Sequence, residues 1–369
     1  MSAARFAEDY DSNASVHDQY YDSYADLGVH RVMLADAARM SFYQRIICSC
    51  SKLRDGIVVD VGSGTGILSM WAARAGAKHV FSIEASSLSS VQGEVFADNG
   101  LNDTITVLGE TVENIIAEGA EEFVKRHRAV LGGNGISVLV SEWMGFYLLH
   151  EGMLPSVIRA RNFFTHVNAL LDIQQPIEMV PEHASLHVAP ISCHCLYLKD
   201  FHEFWHNIGG LDLSRYGRME YEMHLEQAVP LVETLPAACL LHEGAQLAQL
   251  DLRSVTEDAV VSLGGVIRFN FRESSTFQRA LSAGGSVGGP VVVDGFTLWF
   301  DVACGDTRLS TSPLHPPTHW KQTTVLLPAA AREERLVAFS SSDAEMSVEV
   351  HLTATDESLR CYTIDFELQ

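Results

Sequence analysis

Several common sequence features are absent from this chain of 369 residues. None of its 7 cysteines lies in a CxxC pair, and the closest cysteines form CxC segments at 48–50 and 193–195. Because alternate side chains of a strand point to opposite faces, a CxC segment on a strand chelates poorly, and we predict no metal site. No apolar run reaches the length that spans a bilayer, so we also predict no membrane association.

Positive charge is also scarce. The chain has 25 Lys and Arg against 47 Asp and Glu, which gives a formal net charge of −22. Such a chain repels nucleic-acid phosphates, so direct nucleic-acid binding is not expected. The same charge attracts a cationic substrate, although acidity can also serve solubility alone. The first residues, MSAARFAEDYDS, carry acids and no apolar core, so the expected location is the cytoplasm, the nucleus or both.

The first half of the chain alternates strand and helix patterns. GIVVD at 56–60 is a β-branched run that ends in a glycine-rich turn, and ILSMWAARAG at 67–76 continues with helical periodicity. Further strands are predicted at HVFSIE, TITVLGE and GISVLVSE, with a helix at ASSLSSVQGEVFADNG. This alternation predicts an α/β fold with a parallel, doubly wound, Rossmann-like sheet.

The pattern changes after about Pro181. Segments such as ASLHVAPI, GVIRFNF and MSVEVHLTAT read as strands without intervening helices, which predicts a separate antiparallel β domain of barrel or sandwich type. An amphipathic helical pattern at 196–227 interrupts this domain. The predicted organisation is an N-terminal helical segment at 1–50, a Rossmann-like domain at 51–180 and a β domain at 181–369.

The turn DVGSGTG at 60–66 predicts a nucleotide-type pocket. It begins with Asp60, and Gly62, Gly64 and Gly66 allow a ligand to approach the backbone closely. Glu84 ends the next predicted strand, where a carboxylate suits the hydroxyls of a ribose. The competing interpretation is an ordinary tight turn with a solvated glutamate.

The spacing of this turn restricts the ligand. GxGxG differs from the GxGxxG of dinucleotide-binding proteins, and no Lys-Ser/Thr follows to form a phosphate-binding loop. A dinucleotide and S-adenosylmethionine remain, and the absence of pyrophosphate-binding spacing favours S-adenosylmethionine. Its carboxylate needs a cation, for which Arg39 is the candidate; otherwise Arg39 is an ordinary surface arginine.

Two glutamates bracket an apolar run in SEWMGFYLLHEGML, residues 141–154. Burying an uncompensated carboxylate is costly, so either Glu142 and Glu151 both face water or a cation lies between them. Taken alone, glutamates at this spacing are ordinarily solvated.

Four motifs occur in the order found in the protein arginine N-methyltransferases: DVGSGTGIL, IEAS, SEWMGFYLLHEGML and THWKQT. The resemblance runs from about Tyr20 onward, and SEWMG together with THW is far more specific than the glycine turn. It implies a seven-strand-type S-adenosylmethionine-dependent methyltransferase domain followed by an antiparallel β-barrel. The insert at 196–227 resembles the family's helical dimerisation arm.

The resemblance also implies roles around the cofactor and substrate. YYDSY matches the family's aromatic lid, with Tyr21 in place of a common phenylalanine, so Tyr20, Tyr21 and Tyr24 of the N-terminal helical lid at 1–50 would close over the cofactor. The pair Val112-Glu113 would contact adenine, with a one-residue offset from the family pattern. The implied cofactor residues are Tyr24, Met33, Arg39, Asp60, Gly62, Gly64, Gly66, Glu84 and Glu113. The implied substrate residues are Tyr20, Tyr21, Met153 and Trp320.

The implied catalytic residues are Glu142, Glu151, His319 and Asp36. A free guanidinium is a poor nucleophile because its lone pairs are delocalised and its pKa exceeds about 12. Two carboxylates clamp it and draw positive charge away from the attacking nitrogen. His319 of the THW loop, paired with Asp36, is the predicted proton acceptor. We expect the charge of the two glutamates to be balanced only when an arginine arrives.

The predicted function is therefore transfer of methyl groups from S-adenosylmethionine to protein arginines, giving monomethyl- and asymmetric dimethylarginine. The predicted partners are basic or Gly/Arg-rich proteins and a second copy of the chain. Two alternatives stay open. One is a methyltransferase of a small amine, and the other is a catalytically silent relative that acts as a binding scaffold.

Overall fold

The computed structural model describes residues 26–193, 196–226, 230–283, 292–327, 345–356 and 359–369. Its first region is a five-stranded parallel sheet in the order β3-β2-β1-β4-β5, which confirms the predicted doubly wound fold. The resemblance implied a seven-strand type, whereas the sheet found among the described residues has five strands. The strands are β1 (Ile57–Val61), β2 (His79–Ile83), β3 (Ile105–Leu108), β4 (Ile136–Val140) and β5 (Glu178–Val180).

Helices cover this sheet. They are α1 (Leu27–Ala35), α2 (Ala37–Ser49), α3 (Ile67–Arg74), α4 (Ser89–Asp98), α5 (Val112–Glu118), α6 (Ala120–Arg126), α7 (Arg128–Leu131) and α8 (Leu154–Leu170). Every residue of β1 is buried, as expected for a central parallel strand with helices on both faces. The strand order reverses between β1 and β4, which pair in parallel. Ligands of open α/β sheets bind at such a switch point, beyond the carboxyl ends of the strands.

Two aspartates fix the start of the N-terminal helices. Asp26 caps α1 by accepting a hydrogen bond from the amide of Gly28 at 2.7 Å. Asp36 caps α2 by accepting one from the amide of Arg39 at 3.0 Å. Each cap satisfies a backbone donor that the first helical turn leaves unpaired. The junction between the two helices therefore places Asp36 and Arg39 at fixed positions beside the sheet.

The second region is antiparallel, as predicted. One sheet has six strands, with β7-β12-β10-β6-β8 in order and β11 paired to β10, and a second sheet has the order β14-β13-β9. The strands are β6 (His183–Ile191), β7 (Leu231–Glu233), β8 (Ala245–Asp251), β9 (Ser262–Asn270), β10 (Gly295–Cys304), β11 (Thr307–Ser310), β12 (Gln322–Leu326), β13 (Glu345–Ala354) and β14 (Tyr362–Leu368). The rings of Phe296 and Phe366 stack at 4.8 Å and join the two sheets.

The helical insert contains a π-helix (Tyr197–Glu203), α9 (Phe204–His206) and α10 (Ser214–Leu225), and α11 (Ser275–Ala283) follows β9. Trp205 donates a hydrogen bond from Nε1 to Glu220 at 2.7 Å, which ties the insert together. Several of its large apolar side chains are nevertheless exposed: Phe204, Leu211, Tyr216, Met219 and Met223. Among the described residues, no helix combines the length and the apolar character needed to cross a membrane.

Candidate active site

A cavity of about 410 Å³ lies at the switch point of the parallel sheet. Its wall combines the N-terminal helices, the glycine turn after β1, the end of β2, the loop after β4 and the loop before β12. Glu142 and Glu151 both line this cavity, together with Glu84 and His319. Residues far apart in sequence therefore meet at one place.

The glycine turn supplies one wall. Gly62 and Gly64 line the cavity, and their φ angles of +71° and +55° lie in the left-handed region that favours glycine. A Cβ at Gly62 would lie 2.2 Å from Cε of Met153, and one at Gly64 would lie 2.9 Å from Cε1 of His30. Protein side chains thus pack directly on this backbone. Gly66, with φ of +77°, lies behind the wall at the start of α3, and a Cβ there would meet the ring of Phe96.

Two acidic residues near the turn have different environments. Glu84 lines the cavity and accepts hydrogen bonds from the amides of Gly64 at 2.6 Å and Ser86 at 2.7 Å. Asp60 is 1% exposed and lies behind the wall, where its Oδ2 accepts from Ser69 Oγ at 2.7 Å. Burial raises the pKa of Asp60 to about 7 although the Ser69 hydrogen bonds oppose the shift. Asp60 therefore supports α3 from beneath the turn, which differs from its predicted contact with the cofactor.

Arg39 and Glu142 form an ion pair in the cavity wall. Arg39 donates from Nη2 at 2.7 Å and from Nε at 3.1 Å, and both bonds go to Oε2 of Glu142. Its Nη1 donates to the carbonyl of Met33 at 3.3 Å. Burial alone would lower the pKa of Arg39, but the Glu142 carboxylate outweighs burial and raises it. The expectation that only a substrate balances the charge of Glu142 is wrong, because Arg39 already does so.

The loop after β4 bends sharply enough to bring both glutamates to the cavity. Tyr147, Leu148 and Glu151 have φ angles of 39°, 79° and 55°, each in a region that costs a non-glycine residue about 1–3 kcal/mol. The bend also requires Gly145, since a Cβ there would lie 1.5 Å from the carbonyl oxygen of His150. The loop therefore bends between the two glutamates, and its backbone is strained.

Contacts from the second region hold this strained loop. The amide of Glu151 donates to the carbonyl of Arg360 at 2.8 Å. Trp320, which is buried, donates from Nε1 to the carbonyl of Met144 at 2.9 Å. The loop is thus fixed by the β domain on both sides of its apex.

His319 and Asp36 meet, as the family resemblance implied. Oδ2 of Asp36 lies 2.8 Å from Nδ1 of His319 and accepts a hydrogen bond from the His319 amide at 2.9 Å. Burial alone would raise the pKa of Asp36, but the hydrogen bond from the His319 side chain, followed by those from the amides of Arg39 and His319, lowers it. Asp36 is therefore an ionised anchor that connects α2 to the THW loop.

The remaining predicted residues fall into two groups. Met33, Met153 and Glu113 line the cavity, and Oε1 of Glu113 accepts from Ser156 Oγ at 2.9 Å while its Oε2 is buried without a partner among the described residues. The lid residues Tyr20, Tyr21 and Tyr24 lie outside the described residues.

Several residues that line the cavity were not predicted from the sequence, among them His30, Trp143 and Ser156. His30 precedes Met33 by three positions on α1, a spacing that places both on one helix face and could have identified it. Trp143 adjoins Glu142 within the recognised motif. Nothing in the sequence distinguishes Ser156 from other serines. The described part of the chain shows no cluster of three or more His, Cys, Asp or Glu residues suited to a metal.

Comparisons with known proteins identify the class to which this arrangement belongs. A family model described as the arginine methyltransferase oligomerization subdomain matches residues 182–369. A probable protein arginine N-methyltransferase 6 of Arabidopsis thaliana is 32% identical over 345 residues, covering 83% of this chain and 70% of that protein. Protein arginine N-methyltransferase 6 of Xenopus tropicalis is 31% identical over 347 residues, covering 92% of this chain and 87% of that protein.

Solved structures agree with these relatives. The crystal structures of PRMT6 and PRMT6-SAH are each 59% identical to this chain, with TM-scores of 0.90 and 0.89. Each comparison covers 93% of this chain and 100% of the solved chain. The chain belongs to the protein arginine methyltransferase family.

Proposed function

We propose that the protein transfers methyl groups from S-adenosylmethionine to guanidinium nitrogens of arginines in other proteins, and forms monomethyl- and asymmetric dimethylarginine. The observation that carries this proposal is that Glu142 and Glu151 line the same cavity as the glycine turn and Glu84. One cavity thus combines a wall suited to binding a nucleoside with a pair of carboxylates suited to binding a cation. The similar PRMT6-SAH structure supports the choice of methyl donor.

The residues present fit S-adenosylmethionine. Each carboxylate oxygen of Glu84 accepts one amide and retains a lone pair for a ribose hydroxyl. Oε2 of Glu113 is buried and has no hydrogen-bond partner in the described part of the chain, so a donor such as the adenine amine would satisfy it. Arg39 lines the cavity, and its guanidinium is the cation that we assign to the carboxylate of the ligand. When bound, S-adenosylmethionine supplies a methyl group on a positively charged sulfur.

The ion pair with Arg39 prepares Glu142 for a guanidinium. Both hydrogen bonds from Arg39 to Glu142 go to Oε2, and no described residue hydrogen-bonds to Oε1. Oε1 is thus the oxygen left for a substrate arginine, and Glu151 lies on the wall of the same cavity. Two carboxylates then orient the planar group and favour positive charge away from the attacking nitrogen.

The His319–Asp36 pair provides a route for the guanidinium proton. Asp36 stays ionised because its pKa is lowered, and it fixes the imidazole through Nδ1. With Nδ1 held in this way, Nε2 of His319 is the nitrogen free to accept a proton. His319 lines the cavity, as this role requires.

The exposed apolar side chains of the helical insert support a homodimer. Phe204, Leu211 and Tyr216 are 61%, 67% and 59% exposed, which is unusual for large apolar residues grouped on one element. The family model that matches this region is described as an oligomerization subdomain. Basic or Gly/Arg-rich proteins are the proposed substrates, in keeping with the net charge of −22. The cytoplasm and nucleus remain the proposed locations.

The function is tested with isotopically labelled S-adenosylmethionine and an arginine-rich peptide, with product identification by mass spectrometry. A matched peptide with lysine at every arginine position is the control. We expect labelled monomethyl- and asymmetric dimethylarginine, and no label in the control. Symmetric dimethylarginine as the main product would contradict the proposed product type. Cofactor binding without transfer would favour the silent scaffold, and turnover of a small amine alone would favour the other alternative.

A further inference from the structure

Arg159 of α8 lies between two carboxylates that belong to different regions of the molecule. Its Nε and Nη2 donate to Glu257 at 3.1 and 2.6 Å, in a two-point contact. Its Nη1 lies 3.5 Å from Oε1 of Glu113. Glu113 lines the cavity, whereas Glu257 stands in the β domain, in the loop after β8. Arg159 therefore connects the cavity wall to the β domain.

The loop that carries Glu257 is anchored independently. Arg161, also on α8, donates from Nη1 to the carbonyl of Leu252 and from Nη2 to the carbonyl of Val255, both at 2.8 Å. Arg161 is buried, so these bonds are shielded from water. Because the loop is already held against α8, pairing of Glu257 with Arg159 costs little further ordering of the backbone.

The carboxylate of Glu113 is held from one side only. Oε1 accepts from Ser156 Oγ at 2.9 Å and faces Arg159, while Oε2 is buried without a hydrogen-bond partner among the described residues. An unsatisfied buried acceptor is costly, and a ligand donor would remove that cost. The contacts on Oε1 determine where Oε2 is presented.

We propose that Arg159 is a positioning residue that orients Glu113 to accept a hydrogen bond from the amino group of the bound nucleobase, and that Glu257 in turn orients Arg159. This proposal rests on the proposed function, since it assumes an adenosine ligand in the cavity. It makes nucleobase recognition depend on an ion pair between the two regions of the chain. Arg159 does not line the cavity, so its effect on the ligand passes through Glu113.

The test measures binding of two ligands by calorimetry: S-adenosylhomocysteine, and its analogue with an unsubstituted purine base, in which hydrogen replaces the amino group. We expect Arg159→Met to weaken S-adenosylhomocysteine about fivefold, the scale of a partly exposed ion pair, and to leave the purine analogue unchanged. Glu257→Gln should cause a smaller loss of about twofold, and the double variant should match Arg159→Met alone, since Glu257 acts through Arg159. Arg159→Lys should recover part of the affinity.

The control is Arg253→Met. It breaks a partly exposed ion pair in which Nε of Arg253 lies 2.9 Å from Oδ1 of Asp251, and neither residue lines the cavity. It should leave both affinities unchanged, and the thermal unfolding midpoint of every variant verifies that the protein is folded. Equal weakening of both ligands by Arg159→Met, or no weakening of either, would overturn the role of Arg159. Failure of the unaltered protein to bind S-adenosylhomocysteine would instead overturn the proposed function, and this proposal with it.

Discussion

The turn after β1 and the loop after β4 lie side by side at the same edge of the sheet, and both contain residues with left-handed φ angles. The two segments differ in the type of residue that adopts these angles. In the turn, the left-handed φ angles fall on Gly62, Gly64 and Gly66. Glycine adopts these angles at little steric cost, so the turn is locally relaxed. In the loop, similar angles fall on residues with side chains, Tyr147, Leu148 and Glu151.

This difference shows what each segment depends on. The turn presents backbone, and its glycines adopt the required φ angles without strain. The loop presents the side chains of Glu142 and Glu151, and its strain is held by hydrogen bonds to distant residues, Trp320 and Arg360. Residues held in such conformations persist only where the surroundings over-determine them, and they concentrate at functional sites. The β domain is therefore part of the site, because it keeps the glutamates in place.

The largest effect is expected from Gly145→Ala in the loop. A Cβ would lie 1.5 Å from the carbonyl oxygen of His150, so the loop must open and the glutamates must move. A displacement of about 1 Å can cost about 10²-fold in rate, and we expect at least this loss in initial methyl-transfer rate. Gly93→Ala on α4 is the control, because a Cβ there meets nothing within 4 Å. It should stabilise the protein by about 0.5–1 kcal/mol and leave the rate unchanged. A fully active Gly145→Ala variant would contradict the importance of the bend.

Glu142→Gln tests the role of the carboxylates in methyl transfer separately from the binding of the cofactor. Removal of the carboxylate charge should lower the transfer rate by about 10²-fold, the scale of a lost electrostatic contact to the reacting group. The affinity for S-adenosylhomocysteine should change little, because the glycine turn and Glu84 are untouched. Glu121→Gln, on the exposed side of α6, is the control for loss of one charge. Loss of tight ligand binding together with activity would show that Glu142 serves mainly to hold Arg39 in the wall.

Asp36→Asn tests the contact between α2 and the THW loop. An asparagine still caps α2 but cannot stabilise a protonated His319, so the rate should fall by about tenfold or more. The folded-state pKa of Asp36 is lowered, so its contribution to stability is present above the ordinary carboxyl pKa of about 3.9 and is lost as pH falls through the folded value. Denaturant unfolding at neutral and acid pH measures this. The unaltered protein should have a larger free energy of unfolding than Asp36→Asn at neutral pH, and this difference should shrink only in acid. A difference that does not change with pH would rule out the ionised carboxylate.

Asp60→Asn tests a pH dependence of stability that has the opposite sign, and of these variants it should change the methyl-transfer rate least. Its pKa is raised to about 7 in the folded protein, above its ordinary value, so the folded state binds a proton between about pH 4 and pH 7. The unaltered protein should therefore lose stability relative to Asp60→Asn as pH rises through this window. Urea unfolding at pH 5 and pH 8 checks the sign. Parallel behaviour of the two proteins at both values would show that Asp60 is ionised throughout.

The same contrast explains what could be predicted from the sequence. The glycine turn, the order of strands and helices and the antiparallel domain follow from local patterns, and the structure confirms them. The resemblance supplied the pairing of Asp36 with His319, which joins residues 283 positions apart. The pairing of Arg39 with Glu142, 103 positions apart, was not predicted, because no local pattern encodes it. The placement of Asp60 behind the wall likewise depends on its contact with Ser69, which only the packed fold reveals.

We propose that Glu142 and Glu151, which line one cavity, form a pocket for a guanidinium. The most direct measurement is calorimetric binding of an arginine peptide and of its lysine-substituted twin, each in the presence of S-adenosylhomocysteine. A guanidinium meets two carboxylates through paired hydrogen bonds that an ammonium cannot reproduce, so the arginine peptide should bind at least about tenfold more tightly. The combined Glu142→Gln and Glu151→Gln variant should lose this preference. Equal affinity of the unaltered protein for both peptides would rule out a pocket selective for a guanidinium.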